Sequence, residues 1–276
     1  VDRHNGNKEK KRMLGAGSTR PLRQIAALFG IGLLSGAAAP ATKWEPIFDG
    51  KDLSGWVPKI TGHALGEDPR HTFIVKDGAI HVSYDEYEAF NGEFGHLFWH
   101  TQLKSFRIRF EYRFTGQSIA GIKPWQATNS GLMLLAQAPE TMRKDQAFPV
   151  SLEMQLLGVP RPSEEPSGNL CTPGTTVVVD GNRDLPHCIA STSPLIPIGR
   201  WTEAEVEVLP SGQITHFIDG KPVLRYSGAQ LDPEDDDARP LIATAGGTLH
   251  LGRGYVALQS EGHPVEFRKI MLQRLE

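Results

Sequence analysis

From residue 42 onward the chain is built of short runs in which apolar and polar residues alternate, and this period of two does most to narrow what it can fold into. SFRIRFEYRF, FPVSLEMQLLG, TEAEVEVLPSGQITHFIDGKPVLRY and PVEFRKIMLQRL carry it, with HTFIVKDGAIHVS, NSGLMLLAQ, TTVVVDG and GYVALQ as shorter cases. A pleated strand sends successive side chains to opposite faces, so each run can bury one face and leave the other polar. Asp77-Gly78, Asp180-Gly181, Ser211-Gly212 and Asp219-Gly220 punctuate the runs, and such pairs tolerate the positive φ of tight hairpin turns. Hardly any segment has an apolar period of helical length. The expectation is an all-β, mostly antiparallel sandwich or jelly roll. Residues 42–276 read as a single domain, because no Pro/Ser/Gly-rich linker divides them.

The first forty residues read differently. Arg20 and Arg23 precede the apolar stretch IAALFGIGLLSGAAA, and Ala39-Pro40-Ala41 offers small residues at the spacing a signal peptidase accepts, so residues 1–41 are expected to be a secretory signal region. The stretch is interrupted by Gly30, Gly32 and Gly36 and falls short of the roughly 20 apolar residues of a bilayer span, so no stable membrane span is expected. The expected location is periplasmic or extracellular. Residues 1–41 hold seven of the 29 basic and two of the 32 acidic residues, so the remainder carries a net charge near −8. That surface repels phosphate backbones, and no basic cluster offsets it, so nucleic acid is excluded as a partner class. The only two cysteines, Cys171 and Cys188, form an expected disulfide in an exported chain, with a pair of buried free thiols as the alternative. A zinc site would need more soft ligands than His187 adds. LDPEDDDARP, Leu231 to Pro240, reads as a solvated acidic loop without the spacing of a calcium loop.

Alternation also nominates site residues. In FPVSLEMQLLG, Val150, Leu152, Met154 and Leu156 share one face, and Ser151, Glu153 and Gln155 the other. In LQSEGHPVEFRKI, which reads as strand, turn and strand, Val265 and Phe267 oppose Glu266 and Arg268. His216 lies among Ile214 and Ile218 on one face, where it is either a hydrogen-bonded core-edge histidine or a site residue. Polar faces of this kind either meet water or converge on a ligand.

FDGKDLSGW, KDGAI, NSGLMLL, LEMQLLG, HFIDGKPV and LQSEGHPVEFRKI follow one another in an order that resembles the 3-keto-disaccharide hydrolase family, over nearly the whole chain past residue 42. NLCTPGTTVVVDG followed by Pro186-His187-Cys188 resembles a subgroup of it. One departure is that LMLLAQ follows the NSG motif where many members have an arginine. The resemblance implies a concanavalin A-like or laminin G-like jelly roll and a carbohydrate partner. It also implies a sugar-facing surface made of Glu153, Gln155, Glu266, Arg268, Asn129, His216 and Gln259, with Trp125 or Trp99 stacking on a pyranose ring.

The chemistry implied is elimination followed by hydration. A C3 ketone acidifies the C2 proton, a base removes it, the enolate expels the C1 substituent, and water adds to the enone. Glu153 or His187 is the candidate base. Arg268, or a divalent metal held by nearby carboxylate and histidine, is the candidate enolate stabiliser. A non-catalytic carbohydrate-binding module and a cell-surface adhesion domain are the rival readings of the same polar face.

Overall fold

The computed structural model describes residues 43–275, so the expected signal region lies outside the described residues. Strands are numbered in chain order. One sheet runs, from edge to edge, β10 (Thr175–Val178), β14 (Lys221–Leu231), β13 (Ile214–Ile218), β12 (Thr202–Val208), β6 (Phe106–Phe114), β16 (Val265–Arg274), β4 (Ala79–Val82) and β3 (Phe73–Lys76). A short β1 (Glu45–Pro46) also pairs with β16. The other sheet runs β11 (Cys188–Ile189), β9 (Asn169–Cys171), β8 (Leu152–Leu157), β7 (Asn129–Ala136), β15 (Tyr255–Ser260), β5 (Gly95–Trp99) and β2 (Trp56–Ile60). All paired strands are antiparallel. The only α-helix among the described residues is α1, Ala238–Thr244.

The period of two works as the sequence implies. In β6 the residues Phe106, Ile108, Phe110, Tyr112 and Phe114 are buried while Arg107, Arg109, Glu111 and Arg113 alternate with them on the outer side. These inner residues join Val206 of β12, Phe267 of β16 and Leu132, Met154 and Leu258 of the second sheet in one large core between the sheets. The Asp-Gly pairs fall on reversals. Asp77 and Gly78, and likewise Asp219 and Gly220, all have positive φ, as a two-residue hairpin turn matched to the strand twist requires.

LQSEGHPVEFRKI is not a hairpin within one sheet. Its first strand is β15, in the seven-stranded sheet, and its second is β16, in the nine-stranded sheet, so the turn at Glu261–Pro264 carries the chain across the core. A sequence period identifies two faces of a strand but not the sheet to which the strand belongs, and that choice decides where Glu266 and Arg268 lie. Among the described residues no helix is long and apolar enough to cross a membrane.

Candidate functional site

The outer face of the seven-stranded sheet is set by strand register. One row across it reads Phe98, Ala257, Met133, Glu153, Cys171, and the next contains Lys59, His96 and Gln259 on one side and Gly131, Gln155 and Asn169 on the other. Most of this face is covered rather than solvated, and β7 is buried at all eight of its residues. The exception is a cavity of about 740 Å³ over β8 and β9, walled by Trp125, Phe148, Arg161, His187 and the acidic loop after β14.

Glu153 forms part of its floor and is only 6 % exposed. It follows Met133 and Ala257 in an apolar row, and no hydrogen-bond donor or cation is set against its carboxylate among the described residues. Burial therefore pushes its carboxyl up to about 8. The glycine of the NSG motif makes this placement fit, because a Cβ on Gly131 would stand 2.4 Å from Glu153 Oε1. Beside Glu153, Gln155 Oε1 accepts a hydrogen bond from Asn169 Nδ2 at 3.1 Å, and Asn169 Oδ1 accepts one from the Ser191 amide.

A second carboxylate enters from the crossover turn. Glu261 is 2 % exposed, lines the same cavity and has an Oε2 with no hydrogen-bond partner. Burial raises its pKa well above the usual carboxylate range, the nearby Glu153 raises it further, and Arg161 opposes both. The Arg161 side chain is 2 % exposed, and its Nε and Nη1 are buried without acceptors. Its Nη2 donates to the Trp125 carbonyl at 3.1 Å and lies 3.4 Å from Glu165 Oε2. Desolvation pulls the guanidinium pKa down, while Glu165 and Glu261 pull it up.

A short 3₁₀ turn, Pro124–Gln126, ties these groups together. The Trp125 carbonyl accepts from both Arg161 and Asn129 Nδ2, and Gln126 Nε2 donates to the backbone carbonyl of Glu261. The turn also presents the Trp125 ring, 44 % exposed at the cavity and stacked on Phe94 at 6.3 Å. Trp99, the other candidate stacking residue, packs against Trp56 and His100 and is not among the cavity residues.

The cavity thus gathers Glu153, Gln155, Asn129, Trp125 and His187 of the residues nominated from sequence. His187 is exposed at the cavity wall, with its pKa drawn down by partial desolvation and held up by Asp235. Four other nominated residues lie elsewhere. Arg268 and Glu266 are on the outer face of the nine-stranded sheet. There Arg268 Nε pairs with Glu111 Oε2 at 2.7 Å and its guanidinium lies 3.9 Å from the Trp201 ring centroid. Glu266 pairs with Arg113 at 2.6 Å and with His81 at 3.5 Å. The expectation that they share a surface with Glu153 is corrected, because β16 and β8 belong to different sheets. His216 is a core histidine with both nitrogens engaged, Nδ1 with the Gly168 carbonyl at 2.9 Å and Nε2 with the Tyr226 hydroxyl at 2.8 Å. Gln259 is fully buried beside His96, outside the cavity lining.

Sequence reasoning missed Glu261, Arg161 and the acidic loop. Glu261 was legible, because it continues the Ala257–Gln259 alternation one step beyond β15. Arg161 was not, because it lies in an irregular loop that only tertiary structure brings over the sheet. The loop after β14, read as merely solvated, places Asp232, Asp235 and Asp237 in the cavity wall.

Cys171 and Cys188 are joined in a disulfide between β9 and β11. Together with His187 they form the one cluster of three ligating side chains among the described residues. The disulfide leaves that cluster only the histidine as a good donor, so this cluster does not fit a resident divalent metal.

A sequence model of the 3-keto-alpha-glucoside-1,2-lyase-like domain matches residues 43–273. No curated protein matches the chain in sequence. Among solved structures, a galectin-like protein of unknown function from Bacillus subtilis is similar at a TM-score of 0.51 and 13% identity, covering 85% of this chain and 96% of that one. A Parabacteroides distasonis ATCC 8503 protein provisionally named a glycosyl hydrolase follows at 0.48 and 17% identity, over 84% and 94% of the two chains. Carbohydrate-binding module CBM66 from Bacillus subtilis gives 0.45 and 7% identity, over 79% and 95%. The first of these similarities establishes the fold as a galectin-like jelly roll.

Proposed function

The chain belongs to the 3-keto-alpha-glucoside-1,2-lyase-like domain family, a membership that ties it to carbohydrate chemistry, and from that premise we propose that its cavity cleaves 3-keto-glycosides by elimination and hydration. The observation that carries this reading is a buried carboxylate without a cation, Glu153, on the floor of a cavity large enough for a disaccharide and edged by an exposed tryptophan. A general base needs a carboxylate whose pKa stands near the working pH, and burial between Met133 and the Cys171–Cys188 disulfide provides that.

In its charged form Glu153 takes the C2 proton, and the C–H electron pair moves into a C2–C3 double bond as the ketone oxygen becomes an enolate oxygen. Arg161 is the group best suited to hold that charge, since it brings a planar cation to the cavity lining. The enolate then re-forms the C3 carbonyl, C1–C2 becomes the double bond, and the C1–O bond breaks with its electron pair on oxygen. Water adds at C1 and a proton returns to C2. Trp125 offers an aromatic face to the apolar side of a pyranose, and Gln155 and Asn129 offer amides to its hydroxyls. His187, at the wall, contributes to ligand contacts rather than to the first proton transfer.

The protein is exported in this account. The apolar segment before residue 42 and the Cys171–Cys188 disulfide both support an oxidising compartment. The test of the activity is turnover of a panel of 3-keto-glycosides beside their unoxidised parents. Cleavage of the ketones alone is expected. Cleavage of the parents at equal rates, or tight binding of both with no cleavage, would overturn it, the second outcome in favour of a binding module.

A further inference from the structure

Glu261 is a fully buried titratable group that this reaction scheme leaves unused. It reaches the cavity from the crossover turn between β15 and β16, whereas Glu153 rises from the start of β8, so the two carboxyls approach the space from different elements. Gln126 holds the Glu261 backbone in place through its carbonyl. The Glu261 side chain itself has an oxygen that meets neither solvent nor any donor. An ionised carboxylate in that position would be expensive, and a second one beside Glu153 more so, and the burial-driven rise of the Glu261 pKa agrees with a retained proton. The other oxygen, Oε1, has no hydrogen-bond partner among the described residues and is not sealed off in this way, so a neutral carboxyl that carries its proton there is an O–H donor without a protein acceptor on a side chain that lines the cavity. Its missing partner is an acceptor oxygen on the ligand.

Resting on the activity proposed above, we infer that Glu261 is the general acid of this site, protonating the oxygen that leaves C1, and that the substrates are therefore 3-keto-glycosides whose departing group is an alkoxide, such as a second sugar or an alkyl alcohol. The proton balance closes within the pair. Glu153 gains the proton from C2, and as the C1–O bond breaks Glu261 gives its proton to the departing oxygen, leaving the alcohol and a Glu261 carboxylate. In the hydration half, Glu261 takes a proton from water as its oxygen bonds to C1, and Glu153, whose proton has exchanged with the water that enters the cavity, gives a proton to C2. Both groups end as they began, and the net reaction is 3-keto-glycoside plus water to 3-keto sugar plus alcohol. Phenolates leave without help, so the acid matters only for poor leaving groups.

The experiment compares a 3-keto-disaccharide with a 4-nitrophenyl 3-keto-glycoside in the wild type, Glu261→Gln and Glu261→Asp. The expected result for Glu261→Gln is a fall of about 10²-fold or more in kcat/KM on the disaccharide, in the range general acid catalysis supplies, and under about tenfold on the nitrophenyl compound. Glu261→Asp, which keeps an acidic proton on a shorter arm, should recover part of the disaccharide activity. An equal fall on both substrates would mean that Glu261 serves binding or folding, and no fall on either would mean that it is a bystander. Either result overturns the inference. The Asp variant decides the matter through the same substrate comparison should the Gln variant fail to fold. If the wild type cleaves neither substrate, the proposed activity fails first and this inference falls with it, a result distinguishable from a wild type that works and a variant that shows no leaving-group dependence.

Discussion

The outer faces of the two sheets carry similar residue types and use them in opposite ways. On the nine-stranded sheet the charges of β6, β12 and β16 are matched across strand pairs. Arg107 meets Glu205 and Glu207 at 3.2 and 3.0 Å, Arg113 meets Glu266 at 2.6 Å, and Arg268 and Lys269 share Glu111 at 2.7 Å each. The guanidinium groups of Arg113 and Arg268 also lie 4.6 and 3.9 Å from the ring centroid of Trp201. On the seven-stranded sheet the loops close over the face, and the charges beneath them are matched only in part, Arg161 to Glu165 at 3.4 Å. Glu153 has no cation, Glu261 has an oxygen without a donor, and Arg161 has two nitrogens without acceptors. Paired charges under water give a stable, inert surface, whereas unpaired polar groups in a cavity give a surface that a ligand can complete.

The largest contrast is expected between two carboxylates. Glu153→Gln should lower turnover of a 3-keto-glycoside by about 10³-fold or more with the fold intact, because the amide keeps the shape and loses the base. Glu266→Gln, which removes the carboxylate that pairs with Arg113 and His81 on the other sheet, should leave turnover within about twofold; steady-state kinetics with circular dichroism on both variants checks this. The arginines come next. Arg161→Lys should reduce kcat/KM by about 10²-fold, since an ammonium cannot replace a planar fork. Arg268→Lys should leave kinetics unchanged and reduce stability in urea by at most about 1 kcal/mol. Equal effects of the two arginine changes would erase the distinction between the faces.

The faces should also respond to pH with opposite sign. The Glu153 pKa is raised in the folded state, so the unfolded chain releases a proton that the folded one keeps. Its contribution is present in full below the unfolded carboxylate value and is lost as pH rises through about 8, so Glu153→Gln should gain on the wild type in melting temperature at alkaline pH. For Glu111, burial would raise the pKa, but hydrogen bonds from Lys269 and Arg268 bring it below the usual range. Its contribution is present above the unfolded value and lost as pH falls, so Glu111→Gln should flatten the acid side of the melting curve instead. The smallest expected effect concerns the aromatics. Trp125→Ala should raise KM by about tenfold with little change in melting temperature, and Trp201→Ala should lower melting temperature slightly with KM unchanged.

Much of this was legible in the sequence. Alternation in FPVSLEMQLLG placed Glu153 and Gln155 opposite Met154, and the Asp-Gly pairs located the reversals, because both depend only on local geometry. The same alternation correctly turned Glu266 and Arg268 away from Val265 and Phe267. It could not say that the turn before them crosses between sheets, since a period of two is blind to a strand's partners. That omission put Arg268 in the role that the structure makes available to Arg161. His216 shows the complementary limit, because an apolar-face histidine reads the same whether its hydrogen bonds go to Gly168 and Tyr226 or to a ligand.

The measurement that bears most directly on the account is the fate of the C2 hydrogen when a 3-keto-disaccharide is cleaved in D₂O, read by mass spectrometry and NMR against enzyme-free exchange. Elimination and hydration through Glu153 predict one solvent deuterium at C2 of the released 3-keto sugar, made equally by the wild type and Arg268→Lys, and neither cleavage nor exchange with Glu153→Gln. Cleavage that leaves the original hydrogen at C2 and shows no primary isotope effect with a C2-deuterated substrate would mean direct displacement at C1, and it would contradict the role assigned to Glu153.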